Sequence, residues 1–150
     1  MIRLTLAALA ALSPLAAAAH EGVHIEEAYI RSANPQSAAA FMRLDNHAGK
    51  PCTLRGASSD AAERVELHGH QEVEGVMKMT PIEPIEIPAH GSHALSRGGD
   101  HVMLMGLTAP LKDGDIVRMA FDFDCGQEEA EIAVDNQRQP EDAPEGEHKH

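Results

Sequence analysis

Between residues 68 and 105 the sequence carries His68-Gly69-His70, then Met77 and Met79, then His101-Val102-Met103-Leu104-Met105. Imidazole nitrogen and thioether sulfur are the donors, with no cysteine among them and no carboxylate required. Thioether sulfur is soft. It suits Cu(I), is rare at zinc, and is foreign to magnesium or calcium sites, which take oxygen. Thiolates oxidise outside the cytoplasm, so two His and two Met form a thiol-free way to hold Cu(I) there. In extended chain, alternate residues share a face. His68 then lies with His70, Met77 with Met79, and His101 with Met103 and Met105, while Val102 and Leu104 turn the other way. Three segments can aim ligands at one point. Taken singly, a methionine such as Met42 or Met119 is most often a core filler, and a turn histidine such as His47, His90 or His93 is solvated. The joint pattern carries the reading.

The start of the chain gives the compartment. Arg3 precedes an apolar run over residues 4–12, Ser13-Pro14 breaks it, and Ala17-Ala18-Ala19 supplies small residues. This is the pattern of a Sec-type signal peptide over residues 1–19, the alternative being an uncleaved anchor. The run is shorter than the roughly 20 residues a spanning helix needs. A mature domain over residues 20–136 is expected in the periplasm, with no stable membrane insertion. Without residues 1–19 the chain has 11 basic and 24 acidic residues, or −13 with histidine neutral. That balance excludes tracking along nucleic acid phosphates and favours cations or a basic partner face. Cys52 and Cys125 form an even pair, which in an oxidising compartment suggests a disulfide. Two separate buried thiols are the alternative. There is no CxxC for thiol redox work.

Short strands dominate the positioning elements. Alternation predicts strands over residues 23–31, 38–45, 52–57 and 64–68, then a hairpin arm over 71–79 turning at Glu74-Gly75. Pro81, Pro84 and Pro88 make residues 82–87 an edge strand or extended loop. Further strands are expected over 94–96, 101–107, 116–123 and 129–134, with a helical turn at 60–62 and a turn at His90-Gly91-Ser92-His93. Asp113-Gly114 reads as a hairpin turn. The fold class is all-β, a sandwich or barrel. Residues 137–150 have no apolar anchor beyond Ala143 and read as a disordered acidic, His-bearing tail.

The order His68, ten residues, Met79, twenty-one residues, His101, one residue, Met103 resembles the motif of the periplasmic Cu(I) chaperones called PCu(A)C. The flanks agree: Arg64-Val65-Glu66-Leu67, Gly75-Val76-Met77-Lys78, Ile85-Glu86-Ile87-Pro88-Ala89 and Leu104-Met105-Gly106-Leu107. The likeness covers about residues 20–135. It implies a cupredoxin-like Greek-key β-sandwich with His68, Met79, His101 and Met103 as Cu(I) ligands. His70, Met77 and Met105 are left as auxiliary positions, and family members often carry Met where this chain has His70. The resemblance also implies a client: the copper subunit of cytochrome c oxidase with its CuA centre, or another periplasmic copper protein, beside a Sco-type partner.

Other functions stay in view. Cleavage after Ala19 would expose the α-amine of His20, which with its imidazole, and with His148 and His150 of the tail, suits Cu(II). The alternative is a solvated tail. A copper enzyme built on His20, with His24 or His47 beside it, is a rival to the carrier. So is a copper buffer for resistance with no client. A blue-copper electron carrier needs Cys, His and Met close together, and Cys125 is followed by Gly126-Gln127-Glu128-Glu129-Ala130. No Gly-x-Ser-x-Gly nucleophile is present. The expectation is a carrier, not an enzyme.

Overall fold

A computed structural model describes residues 22–139. The expected signal peptide over 1–19, His20, His148, His150 and most of the 137–150 tail lie outside them. Ten strands form: β1 (Val23–Asn34), β2 (Ser37–Asn46), β3 (Cys52–Ser58), β4 (Ala62–Val73), β5 (Val76–Pro81), β6 (Ile85–Ile87), β7 (Ser92–Leu95), β8 (His101–Leu107), β9 (Ile116–Phe123) and β10 (Gly126–Ala133). The fold is all-β, a cupredoxin-like sandwich of two antiparallel sheets. One sheet runs β1-β2-β8-β4-β5, with β7 also on β2, and the other β10-β9-β3-β6.

The core lies between the sheets. Val102 and Leu104 of β8, Met42 and Leu44 of β2, Leu54 of β3, and Met119 and Phe121 of β9 are fully buried there. Met42 and Met119 are thus core fillers. β1 changes phase midway. Glu27 has φ 51°, and the register shifts between Glu26 and Tyr29. Such a bulge flips the side-chain alternation. Val23 and Ile30 therefore both join the core, while Tyr29 turns to the sheet's outer face. There it meets Phe41 with ring centroids 5.2 Å apart, and the Arg138 guanidinium lies 4.6 Å over its ring. Tyr29 and Phe41 are buried yet stand outside the inter-sheet cluster, so the outer face has a small apolar floor of its own.

Cys52 and Cys125 are disulfide-bonded, with Cα atoms 5.7 Å apart. The bridge ties β3 to the β9–β10 turn in the second sheet. Several local expectations are corrected. Residues 60 and 61 form a turn, and Ala62 opens β4 rather than closing a helical turn. Ser92 and His93 belong to β7, because β2 offers them a pairing edge: Ser92 faces Asp45 and His93 faces Leu44. Asp113-Gly114 does turn, with Gly114 at φ 88°, but it joins β8 of one sheet to β9 of the other instead of closing a hairpin. β10 begins at Gly126, directly after the bridge.

Candidate metal centre

β5, β4 and β8 are neighbours in the first sheet, and their register sets the site. A two-residue turn at Glu74 (φ 53°) and Gly75 (φ 80°) pairs Val73 with Val76. The tight turn needs positive φ at both positions, which glycine gives freely. Counting back along the ladder, His70 faces Met79 and His68 faces Pro81. On the other side of β4, His68 faces His101, and Glu66 faces Met103. β7 and β8 both pair with β2, and residues 96–100 interrupt them as a loop. That loop places the Gly99 carbonyl and Arg97 beside the histidines.

A cleft of about 390 Å³ opens on the outer face, and His70, Met79, His101, Met103, Arg31 and Arg97 are among the residues lining it. Phe41 of the apolar floor lines it too, 6.0 Å from the His101 ring. His101 is 2% exposed, whereas Met79, on the hairpin arm, is 53% exposed. Met103 is half-buried.

Hydrogen bonds fix which nitrogen of each histidine is free. The Gly99 carbonyl can only accept, so His101 Nδ1 at 3.0 Å and His70 Nδ1 at 3.2 Å must each carry the proton when bonded to it. Each ring is then left with an Nε2 lone pair, the form a metal takes. Among the described residues, His101 Nε2 is one of three buried side-chain polar atoms with no hydrogen-bond partner. Such an orphan costs about 1–3 kcal/mol unless something binds it. Burial pushes the His101 pKa below the usual imidazole value, and nearby His68 and His70 push the same way. The Gly99 hydrogen bond and Asp100 act against this. The ring is therefore kept neutral and ready to donate its lone pair. His68 differs. Its Nε2 meets Glu66 Oε2 at 3.0 Å, which leaves Nδ1 as its available donor. Carboxylate support of this kind orients metal-binding imidazoles.

His70, Met79, His101 and Met103 share the cleft. His68 stands beside it, with its ring 6.0 Å from that of His101 and its other side on Glu66. Met77 faces Glu72 farther out on the arm, and Met105 accepts a 3.6 Å contact from Arg64; neither lines the cleft. The place of His70 opposite Met79 follows from the register that the Glu74-Gly75 turn sets. Arg31 and Arg97 come from distant segments and carry no local signal. Cys125 has no thiolate to offer a blue-copper site, since it is bridged. His24 and His47 do lie together, edge to face at 4.6 Å.

Comparison with known proteins adds relatives. The family model described as "Putative lipoprotein LpqE-like" matches residues 23–135. The "Putative lipoprotein Lxx21020" of Leifsonia xyli subsp. xyli (strain CTCB07) is 33% identical over 107 residues, which are 71% of this chain and 64% of that protein. The chain thus spans a little under two thirds of that relative's length. The solution structure of apo-DR1885 from Deinococcus radiodurans is 31% identical with a TM-score of 0.60, covering 91% of this chain and 95% of that one. The CuI-DR1885 structure from the same organism is 32% identical with a TM-score of 0.56, covering 78% and 82%. A copper-bound PCuAC domain from PmoF2 shares the fold at 22% identity and a TM-score of 0.61, covering 75% and 92%.

Proposed function

The chain belongs to the LpqE-like family, and on that footing we propose that it is an extracytoplasmic Cu(I) carrier. The observation that carries this reading is the buried, partnerless Nε2 of His101, set in a cleft with the thioethers of Met79 and Met103. Two soft sulfurs and a neutral imidazole select Cu(I) over harder ions. The fourth donor is an imidazole: His68 by the motif order, with His70 the alternative by its place in the cleft. Support for copper comes from CuI-DR1885, a 32% identical relative. The disulfide suits an oxidising compartment, and the description "putative lipoprotein" of the family and of one relative fits an exported protein. Here both cysteines are in the bridge. Among the described residues no helix is long and apolar enough to cross a membrane.

Delivery is ligand exchange, without redox change and without an enzymatic step. His101 is held by Gly99 and stays in place. Met79 sits on an exposed arm, so its Cu–S bond breaks first. A client thiolate forms the new Cu–S bond, and the thiol proton goes to solvent. The copper subunit of cytochrome c oxidase, or another periplasmic copper protein with a Sco-type partner, is the client class this exchange fits. His20, His148 and His150 remain a proposed Cu(II) capture site at the termini.

Anaerobic transfer from the loaded protein to a dithiolate acceptor tests the carrier. Transfer is expected for the wild type and lost in Met79→Leu/Met103→Leu with the fold intact. Undiminished loading of that variant would sink the ligand assignment. Copper that stays on the wild type against a tighter acceptor would make the protein a buffer.

A further inference from the structure

The chain has 24 acidic against 12 basic residues, a formal charge of −12. The cleft mouth reverses that sign. Arg31 of β1 and Arg97 of the 96–100 loop line it, and no aspartate or glutamate does. Three other arginines pair with carboxylates: Arg43 with Glu26, Glu27 and Asp45, Arg64 with Glu66, and Arg118 with Glu131. Among the described residues, no carboxylate forms an ion pair with Arg31 or Arg97. Arg31 is also held in position. Its Nη1 donates to the Arg138 carbonyl at 3.0 Å, and the neighbouring Ser32 amide donates to Asn136 Oδ1 at 2.7 Å. Arg31 and Arg97 both stand near enough to act electrostatically on Tyr29, as does the carboxylate of Asp135, but of these three only the two arginines line the cleft.

We propose that Arg31 and Arg97 form a carboxylate-docking rim, and that the partner taking the metal presents acidic side chains beside its receiving thiolates. The proposal rests on the Cu(I)-carrier reading. At physiological salt charges beyond about 8 Å are largely screened, so the rim and not the overall charge governs the last step of docking. A guanidinium fork also takes a carboxylate with two parallel hydrogen bonds, which fixes orientation as well as attraction. The rim shares the cleft with Met79, the ligand placed to leave first. A partner seated on both arginines therefore has its thiolates next to the metal.

The test uses two synthetic dithiol peptides, identical except that aspartates or lysines flank the cysteines. Anaerobic Cu(I) transfer is timed from the chain lacking residues 1–19. Charge steering at a cleft changes rates by about tenfold or more, so the wild type should load the aspartate peptide about tenfold faster. Arg31→Gln/Arg97→Gln should lose that preference and keep its Cu(I) affinity. Arg97→Gln alone, on an exposed loop, should lose part of it without any change in thermal stability. Equal rates for the two peptides, a lysine preference, or a preference that survives the double substitution would overturn the rim. So would a preference that emerges only after removal of residues 140–150, since Glu141, Asp142, Glu145 and Glu147 would then be the rim's occupants. No transfer to either peptide from a loaded protein would instead contradict the carrier reading itself.

Discussion

Replacing His101 by leucine should make the metal-free protein more stable while removing its metal site. The ring is 2% exposed, and its Nε2 has no partner. Relieving a buried unsatisfied polar atom is worth about 1–3 kcal/mol. The substitution also deletes the Nδ1 bond to Gly99, worth about 0.5–1.5 kcal/mol. That carbonyl is not orphaned in turn, because His70 Nδ1 still donates to it at 3.2 Å. The net gain is about 1 kcal/mol, or about 4 °C in the midpoint for a domain of this size. Acidity widens the gap. Burial lowers the His101 pKa in the folded state, so below about pH 6.5 the unfolded chain takes a proton that the native ring refuses. The wild type thus loses stability as pH falls through that window down to the folded pKa, and the leucine variant lacks this loss. Thermal unfolding of both metal-free proteins at pH 7.5 and 5.5, with a Cu(I) competition titration at pH 7.5, reads all three effects. The midpoint should rise at pH 7.5 and rise further at pH 5.5, and Cu(I) affinity should drop about 100-fold, or about 3 kcal/mol. A variant destabilised at both pH values would refute the idea that Nε2 is an uncompensated cost in the apo fold. Unchanged affinity would remove His101 from the site.

The remaining predictions separate ligands from scaffold. Met79→Leu, at a position 53% exposed, should change stability by less than about 0.5 kcal/mol yet weaken Cu(I) binding in a chelator competition. Met103→Leu, at a half-buried position, should cost less than about 1.5 kcal/mol and weaken binding to a similar degree. Cys52→Ala/Cys125→Ala opens a loop spanning 73 residues and should cost up to about 4 kcal/mol in urea unfolding, with Cu(I) stoichiometry unchanged because the bridge sits in the other sheet. Gly69→Ala puts a Cβ 2.8 Å from Ile82 Cγ2 and 3.0 Å from Asp100 Oδ1. It should cost about 1–3 kcal/mol and weaken Cu(I) binding, since Asp100 adjoins the carbonyl that orients both imidazoles. A more stable Gly69→Ala protein would show that the 96–100 loop gives way freely.

The sequence makes the sheet content and the donor chemistry readable for different reasons. Period-two alternation placed β8 at residues 101–107, because Val102 and Leu104 are core and their neighbours are not. The edge of a strand is harder to read when its pairing partner is remote. Nothing near Ser92 or His93 says that β2 offers them hydrogen bonds, and the run His90-Gly91-Ser92-His93 reads locally as a turn. β4 runs on to Val73 because the hairpin partner β5 supports residues that carry no apolar pattern. Spacing singles out His68, Met79, His101 and Met103, but not their mutual geometry: Met79, His101 and Met103 line the cleft with His70, and His68 does not. Strand alternation puts His68 and His70 on one face and cannot choose between them; the ladder sets His70 against Met79 and His68 against His101. The bulge at Glu27 reverses the phase of β1. Without it, Tyr29 would read as core and Arg31 would point away from the cleft. Arg97 reaches the site from a loop whose sequence is only a turn signal.

The proposed site holds Cu(I) through Met79, Met103, His101 and one imidazole of His68 or His70. X-ray absorption on the anaerobically Cu(I)-loaded protein, at one equivalent, counts those scatterers directly. Two sulfur and two nitrogen neighbours are expected, falling to one sulfur in Met79→Leu and in Met103→Leu alike. A first shell of nitrogen and oxygen alone, or a sulfur count untouched by either substitution, would contradict this ligand set.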